Sequence, residues 1–388
     1  MADLPIRQGG AERLHLGHVD GLRAIAASVV FLNHAYAQTW LITRGQVPPP
    51  ALSIFSYSLV LGHLSVSIFI VLSGFCLALP LTSGDGRLRG GLSAFYRRRA
   101  RRILPPYYAA VALSLALIWT VIGKPTGTLW DVPIAINPSR IISHLLLLQN
   151  LFGTGSVNYV FWSIAVEWQI YLVFPALVWA WRRLGPFYTV GVALLIGYAI
   201  AIGLGHTRLS RASPQFLGLF TLGMLAAHVS RNDTGPYRAL LRRVPWSLLA
   251  ALMALSASAI MAWHGFRLSR NVLLVLDLLV GLLGCGLLIT TSRPGGSWLT
   301  ARLAWKPLAT VGVFSYSLYL VHAPLLQLMW QYVFHPLGLE STALFAALMT
   351  VGFVAVLAFS YLFHRLFEAP FMTGSARAVS ATPRPSPT

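Results

Sequence analysis

Of the 388 residues, 56% are hydrophobic and 10% are charged, against about 25% charged in a soluble domain, which excludes an ordinary soluble protein. The net charge of +19 does not signal nucleic acid, because the basic residues fall mostly between apolar segments, where they set membrane topology. Cys76 and Cys285, the only cysteines, lie inside apolar segments and offer no disulfide framework.

Residues 1–18 are polar and lack the apolar core and cleavage site of a signal peptide, so a cytoplasmic segment is expected there. About twenty apolar residues cross a bilayer core, and by that measure the chain is an all-α polytopic membrane protein of about ten transmembrane helices. They fall at 21–43, 57–81, 104–123, 161–182, 187–205, 213–230, 246–263, 271–291, 309–334 and 343–366. Asp20 is placed to N-cap the first. "PSRIISHLLLLQNLF" (138–152) is too short to span and reads as an interfacial or re-entrant helix. One membrane domain over 19–370 is expected, followed by a Ser/Pro-rich disordered tail at 371–388.

Assigning the N-terminus and every second loop to one side collects roughly twenty Lys and Arg there, against about seven opposite, which puts both termini in the cytoplasm. Counted at ~1.5 Å per residue from the span ends, His34, Glu167 and His322 then share a level in the outer half of the membrane. Arg23, Arg99 and Arg102 lie at the cytoplasmic rim. The expected pattern is two layers, guanidinium groups below and an imidazole–carboxylate set above.

"HVDGLRAIAASVVFLNHAY" (18–36) places Arg23 and His34 eleven residues apart, nearly three turns, on one helix face. They line a cavity entered from the cytoplasm, or else Arg23 is a snorkelling anchor and His34 a satisfied core histidine. "SAFYRRRARRILPPYYAA" (93–110) holds five arginines in six positions, an anchor or a forked phosphate-binding face, with Pro105 and Pro106 suited to a helix's first turn. "NYVFWSIAVEWQIYLVFP" (158–175) carries Glu167, a carboxylate that needs a His or Arg partner from another helix. Asp277 is the second carboxylate well inside a span, and its role is open. "FSYSLYLVHAPLL" (314–326) sets Ser315, Tyr319 and His322 on one face, with His63 a weaker candidate at similar depth. No G-x-S-x-G elbow, Cys/His zinc spacing or P-loop occurs, so neither a metal site nor nucleotide hydrolysis is expected.

Together, "HVDGLRAIAASVVFLNHAY", "VSIFIVLSGFCLALPL", "FYRRRARRILPPYY", "FWSIAVEWQIYLVFP" and "SYSLYLVHAP" resemble, in order, the motifs of the acyltransferase-3 family of bacterial integral-membrane O-acyltransferases. "HLSVSIFIVLSGF" departs mildly, with Ser where glycine and a second Phe are common. The resemblance implies transfer of an acyl group, often acetyl, from cytoplasmic acyl-CoA to a hydroxyl of a glycan, cell-surface polysaccharide or similar acceptor. It implies a multi-pass protein of the bacterial inner membrane, with acyl-CoA as co-substrate and no tightly bound cofactor. Arg23 and His34 match the family's Arg-x10-His pair, and Arg99 and Arg102 its Arg-x-x-Arg pair; Glu167 and His322 match its acidic and histidine positions. Longer relatives carry an extra soluble domain, so this chain is expected to act alone or with a separate partner.

On that reading Arg23, Arg99 and Arg102 hold the donor's phosphates, and His34 is general base or acyl carrier. Glu167 orients His34, and His322 or Tyr319 steadies the oxyanion. The rival reading is a proton-coupled secondary transporter using His34, Glu167, His322 and Asp277 as a relay.

Overall fold

In lipid every backbone N–H and C=O must be satisfied within its own segment, so long apolar runs fold as helices. The computed structural model of this chain describes residues 16–41, 48–82, 86–205, 207–231, 243–265, 268–293 and 297–372; both expected terminal segments fall almost wholly outside them. Among the described residues every regular element is helical. The chain begins with α1 (Gly17–Tyr36), α2 (Ser58–Thr82) and α3 (Gly91–Thr120). Three short helices follow, α4 (Asp131–Ile134), α5 (Pro138–Leu145) and α6 (Gln149–Phe152). Next come α7 (Trp162–Leu184), α8 (Pro186–Gly203), α9 (Gln215–Arg231), α10 (Trp246–His264) and α11 (Arg270–Thr291). The last are α12 (Trp298–Leu303), α13 (Lys306–Val313), α14 (Ser315–Met329), α15 (Ser341–Ala347) and α16 (Phe353–Phe363).

Each of the ten expected spans falls on a helix, and eight helical stretches are long and apolar enough to cross a membrane. The ninth is bent: α13 and the helix that starts with α14 meet at 72°, breaking the straight 309–334 span at Phe314. The first, α1 with its π-helical extension Ala37–Leu41, carries His18, Asp20, Arg23, Asn33, His34 and Gln38, and it is too polar to count among the eight. It is instead an inner helix. Ala24, Ala27, Phe31 and Ala35 are buried, with α2, α12, α13 and α14 packed around it.

Two local expectations are corrected. α1 starts at Gly17, so Asp20 lies in the first turn rather than at the cap, and its carboxylate pairs with Arg23 at 2.9 Å. α3 starts at Gly91, after Gly90 in the left-handed region, so Pro105 and Pro106 sit inside the helix. Neither proline can donate, which frees the carbonyls of Arg101 and Arg102, both residues being exposed. α2 and α9 cross at backbone contact. A Cβ on Gly74 would lie 2.0 Å from the Phe220 carbonyl oxygen, and one on Gly223 would lie 2.0 Å from that of Val71.

Candidate active site

His34 on α1 and His322 on α14 meet. Their ring centroids are 5.2 Å apart, and the Tyr159 ring lies 4.8 Å from His34 on a third wall. His322 is buried, and its Nδ1 lies 2.8 Å from the Tyr319 carbonyl oxygen and 3.1 Å from that of Leu318. A carbonyl only accepts, so Nδ1 carries the proton and neutral His322 presents a lone pair at Nε2. That Nε2 is buried without a partner, as is His34 Nδ1. Two orphaned ring nitrogens in one chamber fit a site for a proton-bearing substrate better than packed core does.

Tyr319 shares the chamber, its ring 5.8 Å from His322. Its hydroxyl is committed elsewhere, 2.6 Å from Ser163 Oγ and donating to the Val160 carbonyl at 3.1 Å. The sequence expected His322 or Tyr319 to steady an oxyanion. Neither offers a free donor while neutral; Tyr319 ties α14 to the start of α7, which sets the position of His322.

Glu167 and His34 share no hydrogen bond. Glu167 accepts from the Tyr171 hydroxyl, one turn on in α7, and Tyr171 also bonds Ser73 Oγ of α2 at 2.5 Å. Arg99, half-buried on α3, lies within electrostatic reach of Glu167, Tyr171 and Arg102, and Arg23 within reach of Tyr171. Arg23 also donates to Cys76 Sγ at 3.2 Å. The expected carboxylate thus bonds Tyr171, with Arg99 and Tyr319 both within its electrostatic reach.

Asp277 has more partners than its apolar surroundings in sequence suggested. It accepts from Ser67 Oγ at 2.6 Å, His63 Nε2 at 3.1 Å and Gln215 Nε2 at 3.2 Å, drawn from α2 and α9. Glu368 was missed altogether. It is buried beyond the expected end of the last span, accepting from Ser317 Oγ at 2.6 Å and His364 Nδ1 at 2.9 Å. Tyr159 and Trp130 were also missed, although Tyr159 lies within the quoted motif. Among the described residues no group of three or more His, Cys, Asp or Glu converges to hold a metal ion.

A family model described as an acyltransferase domain matches residues 16–365, taking in both layers. The chain belongs to that acyltransferase family. The acyltransferase domain is thus carried by a multi-pass helical membrane protein. The peptidoglycan O-acetyltransferase OatA of Listeria monocytogenes is 26% identical over 337 residues, 81% of this chain and 50% of its own length. The acyltransferase MdmB of Streptomyces mycarofaciens is 30% identical over 178 residues, 44% of this chain and 40% of its own. The O-acetyltransferase OatA of Staphylococcus aureus is 24% identical over 355 residues, 80% of this chain and 51% of its own. The chain therefore spans about half the length or less of these relatives. No solved structure gives a significant match.

Proposed function

We propose that this acyltransferase moves an acyl group, acetyl in the first instance, from cytoplasmic acyl-CoA to a hydroxyl of a carbohydrate acceptor presented at the outer side of the bacterial inner membrane. The observation that carries the reading is the paired, unpartnered imidazole nitrogens of His34 and His322. Both termini lie on the cytoplasmic side. Acyl-CoA binds as co-substrate, with no resident cofactor. Its phosphates meet Arg99 and Arg102, with Arg23 at the entrance, and its extended arm carries the thioester up to His34.

His34 removes the proton from the acceptor hydroxyl. The oxygen attacks the thioester carbon, the C–O bond forms and the C–S bond breaks. The departing CoA thiolate takes the proton from His34, so the cycle closes with no net proton uptake. His322 Nε2, fixed as an acceptor, receives a hydrogen bond from a neighbouring hydroxyl of the acceptor and so aims the reacting one at His34. Tyr319 holds His322 in place. Glu167, through Tyr171, sets the spacing of the guanidinium layer.

His34→Ala is expected to lower acyl transfer from labelled acetyl-CoA by at least about a hundredfold while the protein still inserts and melts normally. Transfer at an undiminished rate would refute the assignment. The rival reading, a proton-coupled carrier, draws its support from the His63–Asp277 pair within the bilayer. Acceptor-driven proton flux into sealed vesicles without acylation would favour it.

A further inference from the structure

We infer that Trp130, on the loop between α3 and α4, is a ligand of the acceptor, its indole N–H donating to a ring or hydroxyl oxygen of a carbohydrate. The inference rests on the acyl-transfer reading above and adds a binding group that neither the motifs nor the family match assigns.

Trp130 is 1% exposed, yet its Nε1 has no hydrogen-bond partner. An indole N–H is a donor only, and burying one unpaired costs stability unless something later accepts from it. The Trp130 ring meets Tyr159 edge-on with centroids 6.0 Å apart, and Tyr159 in turn lies 4.8 Å from His34, so two aromatic contacts join the indole to His34. Aromatic rings beside an aimed polar group suit a pyranose, which offers apolar C–H faces and oxygens at its edges.

The loop is held as a built wall. Both Asp131 carboxylate oxygens turn inward to accept the backbone N–H groups of Thr126 at 2.8 Å and Gly127 at 2.7 Å. Thr128 Oγ1 donates to Gln327 Oε1 at 2.8 Å, and Gln38 Nε2 donates to the same oxygen at 2.9 Å. Gln327 Nε2 reaches back to Thr126 Oγ1 at 3.1 Å. Gln38 follows His34 by four residues and Gln327 follows His322 by five. One buried network thus fastens the Trp130 loop to the two helices that carry the imidazoles, fixing donor against base.

The test uses the full chain in nanodiscs with chitopentaose, an N-acetylglucosamine oligosaccharide, as probe. Trp130→Phe assigns the 15N-indole signal of Trp130. That signal is expected to move on adding chitopentaose and to stay in place on adding CoA alone. Replacing Trp130 with β-(3-benzothienyl)alanine keeps the bicyclic ring and deletes the donor; it should raise the acceptor KM about tenfold, lower kcat by a smaller factor, and leave the melting temperature without acceptor unaltered. A Trp130 signal unmoved by the oligosaccharide overturns the proposal, even where acyl transfer to other hydroxyls persists. So does a benzothienyl variant that melts several degrees lower and weakens for donor and acceptor alike, the mark of mere packing. A Trp130 signal that moves in a protein lacking His34-dependent transfer counts instead against the acyl-transfer reading.

Discussion

The arginines of this chain are not equivalent, although they are near neighbours in sequence. Arg23 is tied to Asp20 and Cys76, and Arg99 is half-buried beside Glu167 and Tyr171, whereas Arg102 is exposed one turn further along α3. A guanidinium already sharing its field with a carboxylate has less to give an incoming phosphate than one without. On the proposed reading Arg102 is therefore the stronger phosphate contact. Arg102→Ala is expected to raise the KM for acetyl-CoA between about tenfold and a hundredfold, with a smaller change in kcat. The loss should shrink at high salt, since an exposed charge is screened. An unchanged donor KM in a steady-state assay would remove Arg102 from the donor site. Residue by residue, His34 and His322 were legible in the sequence, because an imidazole in a span is costly unless it faces a cavity. Glu368 was not: the helix runs on as a π turn through Glu368, past the last apolar residue that a hydropathy ruler counts.

Among the elements, the crossing of α2 and α9 depends on glycine. Ala at Gly74 places a methyl 2.0 Å from the Phe220 carbonyl oxygen, and a backbone atom cannot turn aside, so the helices must separate. Gly74→Ala is expected to cost at least about 2 kcal/mol and to lower the melting temperature, while Gly191→Ala on α8, with nothing within 4 Å of its Cβ, should not. The 138–152 segment was expected to be a short interfacial or re-entrant helix, and it is two short helices, α5 and α6, broken at Leu147, whose φ is 53°. Buried His144 bridges it, Nδ1 donating to the Arg140 carbonyl at 2.8 Å and Nε2 accepting the Val157 N–H at 3.1 Å. Burial pushes its imidazole from 6.5 down to about 4. Because the folded value is the lower one, its stabilisation is complete above pH 6.5 and is lost as the pH falls from there toward 4. Melting curves across that window should show a loss of at most about 3 kcal/mol, and His144→Gln should flatten it. A wild-type stability that does not change between those pH values would mean that the bridge carries no strain on protonation.

For the molecule as a whole, hydropathy revealed the class, because lipid leaves the backbone no alternative to the helix. Of the ten expected spans, eight helical stretches among the described residues, nine with the bent α13–α14 pair, are long and apolar enough to cross. Hydropathy could not reveal which helices face one another, and Glu167, expected to pair with a His or Arg of another helix, accepts from Tyr171 of its own. Trp130 was invisible for a related reason. Its neighbour Thr128 donates to Gln327, which also accepts from Gln38, 289 residues away, and no local periodicity shows such a tie. On the proposed reading the basic run at Arg97–Arg102 faces the cytoplasm, the arginine layer opens there to acyl-CoA, and the Trp130 loop opens outward to the acceptor. A version without Cys76 and Cys285, with Lys124→Cys next to that loop or Arg98→Cys on α3, separates the two sides, since both positions are exposed. An impermeant maleimide applied to intact cells should label Cys at 124 and reach Cys at 98 only after permeabilisation. Labelling in the reverse order would place the arginines outside, beyond the reach of cytoplasmic acyl-CoA, and the two-layer transfer scheme could not operate.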